Sequence, residues 1–206
     1  MSVERVMKPL WLGFACALFA APLVSHAENA RASSSIQPEN LEHFAEQPPH
    51  IQKLLKSSLA LASKGLHYLY GSADPSLGGL DCSGAVHYLL QQAGFSNTPR
   101  QANLFYTWLA DQHSLHLLSN DFEPATLASL APGDLLFWTG TYAIHRDPPV
   151  THVMIYLGKD RSTGLQWMMG ASSSRSGGGV GVFPFQNGKL GSSGQFIAFG
   201  KLPAAH

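Results

Sequence analysis

The chain has 206 residues, of which 45% are hydrophobic and 13% charged, and its 13 basic residues balance 13 acidic ones. Because it lacks the basic excess that marks a nucleic-acid-binding surface, we expect no nucleic-acid partner. The length suits a single domain after a short leader, since domains usually have roughly 100–200 residues.

The first 27 residues have the layout of a secretory signal peptide. Arg5 and Lys8 precede an apolar run from Leu10 to Val24, and small residues flank a cleavage position after Ala27. The run is short for a membrane span, which needs about 20 residues, although a retained membrane anchor is the alternative. We therefore expect an exported protein, periplasmic or secreted, with no stable membrane anchor after cleavage.

The rest of the chain divides into an arm and a domain. Residues 28–49 are polar and interrupted by prolines, which is typical of a linker or disordered arm. Residues 50–206 form the predicted domain. It starts with apolar residues at helical spacing between Ile51 and Lys64, a pattern that predicts a helix ended by Gly65.

A second predicted helix starts at Cys82. Its apolar stripe runs from Ala85 to Ala93, and Gly94 follows at the position where many helices end. Asp81 stands where a helix-capping side chain is expected. Cys82 is the only cysteine left once the leader is removed. Its thiol is therefore either buried and inert or reactive.

The second half of the chain predicts an antiparallel sheet. Five short segments are apolar and separated by turn residues: 135–138, 151–157, 165–169, 180–185 and 195–199. The turn-rich sequence GKDRSTG joins the second and third of them as a hairpin. His152 lies at the start of the second strand and shares a face with Met154 and Tyr156. Helices followed by strands predict an α+β domain.

A cysteine at a helix start and a histidine on a strand are the two groups that nucleophilic catalysis requires. The thiolate is the reactive species, and a helix N-terminus beside a cationic histidine lowers a thiol pKa to roughly 3.5–7.5. The base must reach the thiol at about 2.6–3.2 Å. We therefore expect Cys82 to be the nucleophile and His152 its base, with a purely structural histidine as the alternative.

Four stretches together resemble the NlpC family of cell-wall cysteine peptidases, which have a reduced papain-like α+β fold. They are HYLYGSADPSLGGLDCSGAVHYLLQQAGF, TPRQ, APGDLLFW and THVMIYLG. The resemblance implies that Cys82 is the nucleophile and His152 the general base. It implies that Tyr68 lies near the thiol and that Asp81 and Ser83 help to bind the free amino end of the substrate. It also implies hydrolysis of γ-D-glutamyl to diamino-acid bonds in peptidoglycan stem peptides, without a metal or another cofactor.

One position departs from the family pattern. Members usually carry a third polar residue, often histidine, on the strand after the base, where it orients the imidazole. If Leu157 pairs with Leu165 and the hairpin has no bulge, the residue opposite His152 is Gly170. The imidazole would then be oriented by a backbone carbonyl, by a water molecule, or by Ser172, Ser173 or His145.

An insert, TGTYAIHRDPPV (139–150), precedes the strand of His152, and we expect it to line the cleft, with Trp138 or Tyr142 as an apolar wall. Arg100 and Gln101 are either surface residues or contacts for a substrate carboxylate.

Two other functions stay open. A deep apolar cleft would favour amide or lipid acyl transfer on the same fold, and Gly170 would favour a catalytically silent wall-binding module. The sequence indicates no oligomeric state.

Overall fold

The computed structural model describes residues 36–118, 124–173, 178–186, 188 and 194–205. The predicted signal peptide and the first part of the predicted arm lie outside these residues. Within the described part of the chain, no helix combines the length and the apolar composition that crossing a membrane demands.

Three α-helices occupy the first half of the domain: α1 (Pro49–Ala62), α2 (Cys82–Ala93) and α3 (Ala102–Asp111). The first two confirm the sequence pattern, whereas α3 was not indicated by it. Helix α2 ends as expected, because Gly94 adopts the left-handed conformation with φ 100° and donates its N–H to a carbonyl of the last turn.

In the described part of the chain, eight strands form two sheets. A small parallel pair, β1 (His67–Tyr68) and β2 (Gly79–Leu80), lies just before α2. The main sheet is antiparallel throughout and has the strand order β3-β8-β4-β5-β6-β7. Its strands are β3 (Leu115–Leu117), β4 (Leu135–Thr139), β5 (Val150–Lys159), β6 (Gln166–Ser172), β7 (Gly179–Pro184) and β8 (Gln195–Gly200). The five predicted strands correspond to β4 through β8, and the α+β class is confirmed.

The hairpin of β5 and β6 differs from the predicted register. A bulge falls between Tyr156 and Gly158, and Ile155 pairs with Met169 instead of residue 167. The pairs next to the turn are Lys159–Gln166 and Gly158–Trp167 instead of Leu157–Leu165, an offset of three positions, and the bulge then takes back one of them. The prediction that Gly170 stands opposite His152 is therefore wrong.

Alternate side chains of β5 enter two separate cores. Val153, Ile155 and Leu157 belong to the main core, which also contains the buried faces of the three helices. Met154 and Tyr156 point to the other side of the sheet, where a smaller cluster includes Trp138 and Phe185. Both cores reach the strand that carries His152, so its start is held rigidly from two sides.

The described part of the predicted arm packs against the domain. Leu41 is 0% exposed and Phe44 is 5% exposed, and both belong to the main core. The backbone N–H of Glu42 also donates to the carbonyl of Lys159 at 2.8 Å. The structure therefore extends the domain back to Ile36, because apolar residues spaced among polar ones supply a contact face that the prolines obscured.

Candidate active site

Cys82 is the first residue of α2 and lies at a tightly packed corner. The carboxylate of Asp81 caps the helix by accepting the N–H of Gly84 at 2.6 Å. Gly84 has no space for a side chain, since a Cβ there would lie 2.0 Å from the carbonyl oxygen of Ser72. Cys82 itself is 8% exposed. The loop before α2 thus fixes the thiol in one position.

Asp81 is the centre of a polar network beside the thiol. The guanidinium of Arg100 contacts both of its oxygens, at 3.0 and 2.9 Å, and also donates to Ser83 Oγ at 3.0 Å. The N–H of Gly71 donates to Asp81 Oδ2 at 2.8 Å, and Ser83 Oγ donates to Oδ1 at 3.3 Å. The charge of Asp81 is therefore balanced, and its acceptor positions are largely filled.

The segment that carries Arg100 is tied to the same helix. His87 on α2 has its Nδ1 at 2.9 Å from both Thr98 Oγ1 and the carbonyl oxygen of Pro99. Sequence reasoning left Arg100 as either a surface residue or a substrate contact. The structure instead gives it an ion pair with a carboxylate whose side chain is 9% exposed, while its own side chain is 33% exposed.

His152 lies on β5 next to the nucleophile helix. Its imidazole is 7% exposed and packs edge-on against Trp138, with ring centroids 5.8 Å apart. The following residue, Val153, directs its backbone N–H toward the sulfur of Cys82. Among the described residues, no hydrogen bond joins the thiol to the imidazole, and the buried Nε2 of His152 has no partner. The structure thus brings the two residues to the same corner without joining them directly.

Burial holds both groups in their neutral forms. Desolvation, with a further contribution from the Asp81 carboxylate, raises the pKa of the Cys82 thiol from 9.0 to about 11. Desolvation lowers the pKa of the His152 imidazole from 6.5 to about 4. This is opposite to the lowered thiol pKa that the helix-start position predicted. The helix N-terminus and the Val153 N–H do favour the thiolate, but water exclusion outweighs them.

Cys82 lines a pocket of about 330 Å³. All three predicted substrate contacts, Tyr68, Asp81 and Ser83, line this pocket. His152 is not among the lining residues, whereas its neighbour Thr151 is. The Tyr68 hydroxyl lies near the thiol, since burial and the charges of Cys82 and Asp81 raise its pKa. The lining residues are Tyr68, Tyr70, Gly71, Asp81, Cys82, Ser83, Arg100, Gln101, Ala102, Tyr142, Arg146 and Thr151.

The insert between β4 and β5 contributes one wall of this pocket, as its length indicated. Tyr142 is 47% exposed and lines the pocket together with Arg146. Trp138 does not, because its ring is fully buried behind the sheet and its Nε1 donates to the carbonyl of Gly188 at 2.6 Å. Arg146 was missed by sequence reasoning, since an arginine in a loop with two prolines gives no sign of the direction it faces.

Comparison with known proteins decides the family. The NlpC/P60 family model matches residues 65–180, more than half of the chain. The chain belongs to the NlpC/P60 family. The matched region includes Cys82, His152 and the pocket residues around them.

Individual relatives of the NlpC/P60 domain cover less of the chain. Proteins named probable endopeptidases, from Mycobacterium bovis and Mycobacterium tuberculosis, are 34% identical to it over 99 residues. That match spans 48% of this chain and 20% of each relative, so the chain corresponds to about a fifth of their length. A crystal structure of a lipoprotein-like NLP/P60 protein from Staphylococcus aureus covers 67% of this chain and 37% of its own, with 24% identity and a TM-score of 0.45.

Gly170, where the resemblance led us to expect a third polar residue, has no room for a side chain. A Cβ on Gly170 would lie 2.7 Å from Cγ and 3.2 Å from Cε of Met154, which is fully buried. Met154 therefore occupies the volume that a side chain at position 170 would need. Of the proposed substitutes, Ser172 lies at the end of β6, half-buried and paired with Gly179, while His145 is exposed in the insert.

Proposed function

We propose that this NlpC/P60 protein is an exported cysteine peptidase that hydrolyses peptidoglycan stem peptides. The observation that carries the proposal is the position of Cys82 in the lining of a pocket, with the N–H of Val153 directed at its sulfur. That contact brings β5, and with it His152, to the nucleophile. The names of the mycobacterial relatives support a peptidase.

In the proposed reaction, the sulfur of Cys82 attacks a peptide carbonyl while His152 accepts the thiol proton. An acyl-enzyme forms, the amine leaves with that proton, and water then releases the acyl group. Because both groups rest in their neutral forms, the proton moves during the attack and no stable ion pair precedes it. The thiol and the imidazole must approach each other when substrate binds, and hydrogen bonds in ligand-free active sites are often looser than in the reacting complex.

The lining of the pocket supports a peptide as the substrate. Hydroxyl groups of Tyr68, Tyr70 and Tyr142 and two guanidinium groups surround the thiol, which suits a polar chain better than a lipid tail. We propose that the bond cleaved is the γ-D-glutamyl to diamino-acid bond. The hydroxyls of Tyr68 and Ser83 would bind the free amino end. Asp81 would contribute its charge, although an incoming amine has to displace a donor already bound to it.

Mass spectrometry of stem peptides incubated with the purified protein tests this function. Wild-type protein is expected to create new peptide ends at one defined bond, and Cys82→Ala protein is expected to create none. Loss of the leader from protein recovered outside the cytoplasm would support export. Identical product profiles from the two proteins would contradict the peptidase proposal.

A catalytically silent wall-binding module is the second candidate. The neutral, buried thiol and the unpartnered Nε2 of His152 favour it. It predicts that wild-type and Cys82→Ala proteins bind stem peptides equally and that neither changes them. The mass spectrometric comparison therefore separates the two candidates.

A further inference from the structure

Arg146 brings an unmatched positive charge to the pocket wall. Its Nη2 donates to the Tyr142 hydroxyl at 3.2 Å and to the carbonyl of Val150, and both of these acceptors are neutral. Its Nε is buried and makes no hydrogen bond. Within the described ranges no ion pair includes Arg146. The nearest acidic residue in sequence, Asp147, is exposed and forms no ion pair among the described residues.

The other charges of the pocket cancel. Arg100 Nη1 donates to Asp81 Oδ1 at 3.0 Å, and Arg100 Nη2 donates to Asp81 Oδ2 at 2.9 Å. Among the described residues that line the pocket, Arg146 is the remaining charged one, so these residues together carry a net charge of about +1. A partly desolvated guanidinium with only neutral partners gains more from an anion than an exposed one does, because it has already lost part of its hydration.

We propose that Arg146, supported by Tyr142, is a binding site for a free carboxylate of the peptide substrate. This inference rests on the proposed function and names the chemical feature that the same pocket selects. A γ-linked glutamyl residue leaves its α-carboxylate free beside the bond to be cleaved, and the diamino acid on the other side also carries a carboxylate. The tethered guanidinium suits either group, since it presents several N–H donors in one plane.

Binding of three synthetic tripeptides to Cys82→Ala protein tests the site without any need for turnover. The first is L-alanyl-γ-D-glutamyl-diaminopimelate, the second carries an amide in place of the glutamyl α-carboxylate, and the third carries amides at the diaminopimelate carboxylates. Isothermal titration is expected to show that one amidation weakens binding roughly tenfold to a hundredfold, as for a hydrogen bond to a charged group. The amidated peptide that binds more weakly identifies which carboxylate the site binds.

Arg146→Gln is made in the Cys82→Ala background. This protein is expected to bind the acid and amide peptides with the same affinity. Arg146→Lys should keep part of the affinity difference between the two peptides because it keeps the charge. Arg161→Gln removes the same charge from an exposed turn outside the pocket lining and should leave the difference intact.

The inference would be overturned if the ratio of the dissociation constants for the acid and amide peptides were the same with and without Arg146. Absence of binding for all three tripeptides would also overturn it. Hydrolysis by wild-type protein is measured in parallel. Discrimination by the Cys82→Ala protein without any wild-type hydrolysis would overturn the proposed function and leave the carboxylate site standing.

Discussion

The side chain of Met154 fills the space in front of Gly170. The two residues lie on neighbouring strands of the main sheet, and a Cβ at position 170 would approach Met154 Cγ to 2.7 Å. Met154 and Gly170 therefore pack as a large and a small residue on neighbouring strands. His152 lies two residues before Met154 on the same strand, where its Nε2 has no partner and its imidazole packs against the ring of Trp138.

This packing predicts that substitutions at positions 154 and 170 are coupled. Gly170→His alone should cost about 1–3 kcal/mol of unfolding free energy through overpacking. Met154→Ala alone should cost about 2–5 kcal/mol through the cavity it creates. The double variant should lose at least about 1 kcal/mol less unfolding free energy than the sum of the two single losses, because the imidazole fills the vacated volume. Urea denaturation of the four proteins measures the coupling.

Leu157→Ala is the matched control for that cycle. Leu157 is fully buried on β5 but faces the main core. Its combination with Gly170→His should be additive within about 0.5 kcal/mol. Equal coupling in both cycles would show that the effect does not come from contact between positions 154 and 170.

The β5–β6 hairpin shows which structural features the sequence predicts and which it does not. Alternation of apolar residues predicted β5 and β6 and the face on which His152 lies. It did not reveal the bulge between Tyr156 and Gly158, since a bulge depends on how two strands meet and leaves no period in either one. It also did not reveal that the hairpin closes at Lys159–Gln166 instead of Leu157–Leu165, and the two errors together assigned Gly170 to the wrong partner.

The ion pair of Asp81 and Arg100 is expected to stabilise the loop that holds the thiol. Asp81→Asn removes the negative charge of a carboxylate that accepts hydrogen bonds from Gly71, Gly84 and Arg100. Breaking a buried pair costs about 3–5 kcal/mol, and we expect about 2–3 kcal/mol here because Arg100 is one-third exposed. Urea denaturation measures the loss. Glu39→Gln removes one member of an exposed pair with Lys56 and should change stability by less than about 1 kcal/mol.

Equal losses from Asp81→Asn and Glu39→Gln would contradict the structural role of the buried network. Sequence reasoning identified Asp81 as a helix cap from its position before the helix. It did not connect Asp81 with Arg100, because the two residues are 19 positions apart and only the turn held by His87 brings them together.

Cys82 is expected to react slowly with alkylating reagents in the folded protein at neutral pH. A pKa of about 11 instead of 9.0 lowers the thiolate fraction roughly a hundredfold, and the thiolate is the species that reacts. The rate with iodoacetamide should then rise about tenfold per pH unit between pH 7 and 10. Intact-mass spectrometry follows the alkylation.

The same cysteine in urea-unfolded protein supplies the internal reference for that rate. Unfolding removes the desolvation, so alkylation at pH 7 should become roughly a hundred times faster. A folded protein that reacts as fast as the unfolded one would show that the thiol rests as a thiolate, and the helix-start argument would then outweigh burial.

The buried imidazole of His152 should make the protein less stable in mild acid. Its pKa falls from 6.5 in the unfolded chain to about 4 in the folded one, so the unfolded state binds a proton more readily. The stabilisation from the neutral imidazole is fully present above about pH 6.5. It is lost as the pH falls from 6.5 toward 4, with an upper limit of about 3 kcal/mol for a shift of this size.

His152→Gln removes this contribution, since glutamine has a similar polarity and does not titrate. The readout is the unfolding free energy of both proteins between pH 7.5 and 4, because carboxylates that titrate in both cancel in the difference. Wild-type protein should lose about 2–3 kcal/mol more than the variant over this range. Parallel curves would mean that the imidazole keeps an ordinary pKa, and the neutral resting state proposed for the catalytic pair would then fail.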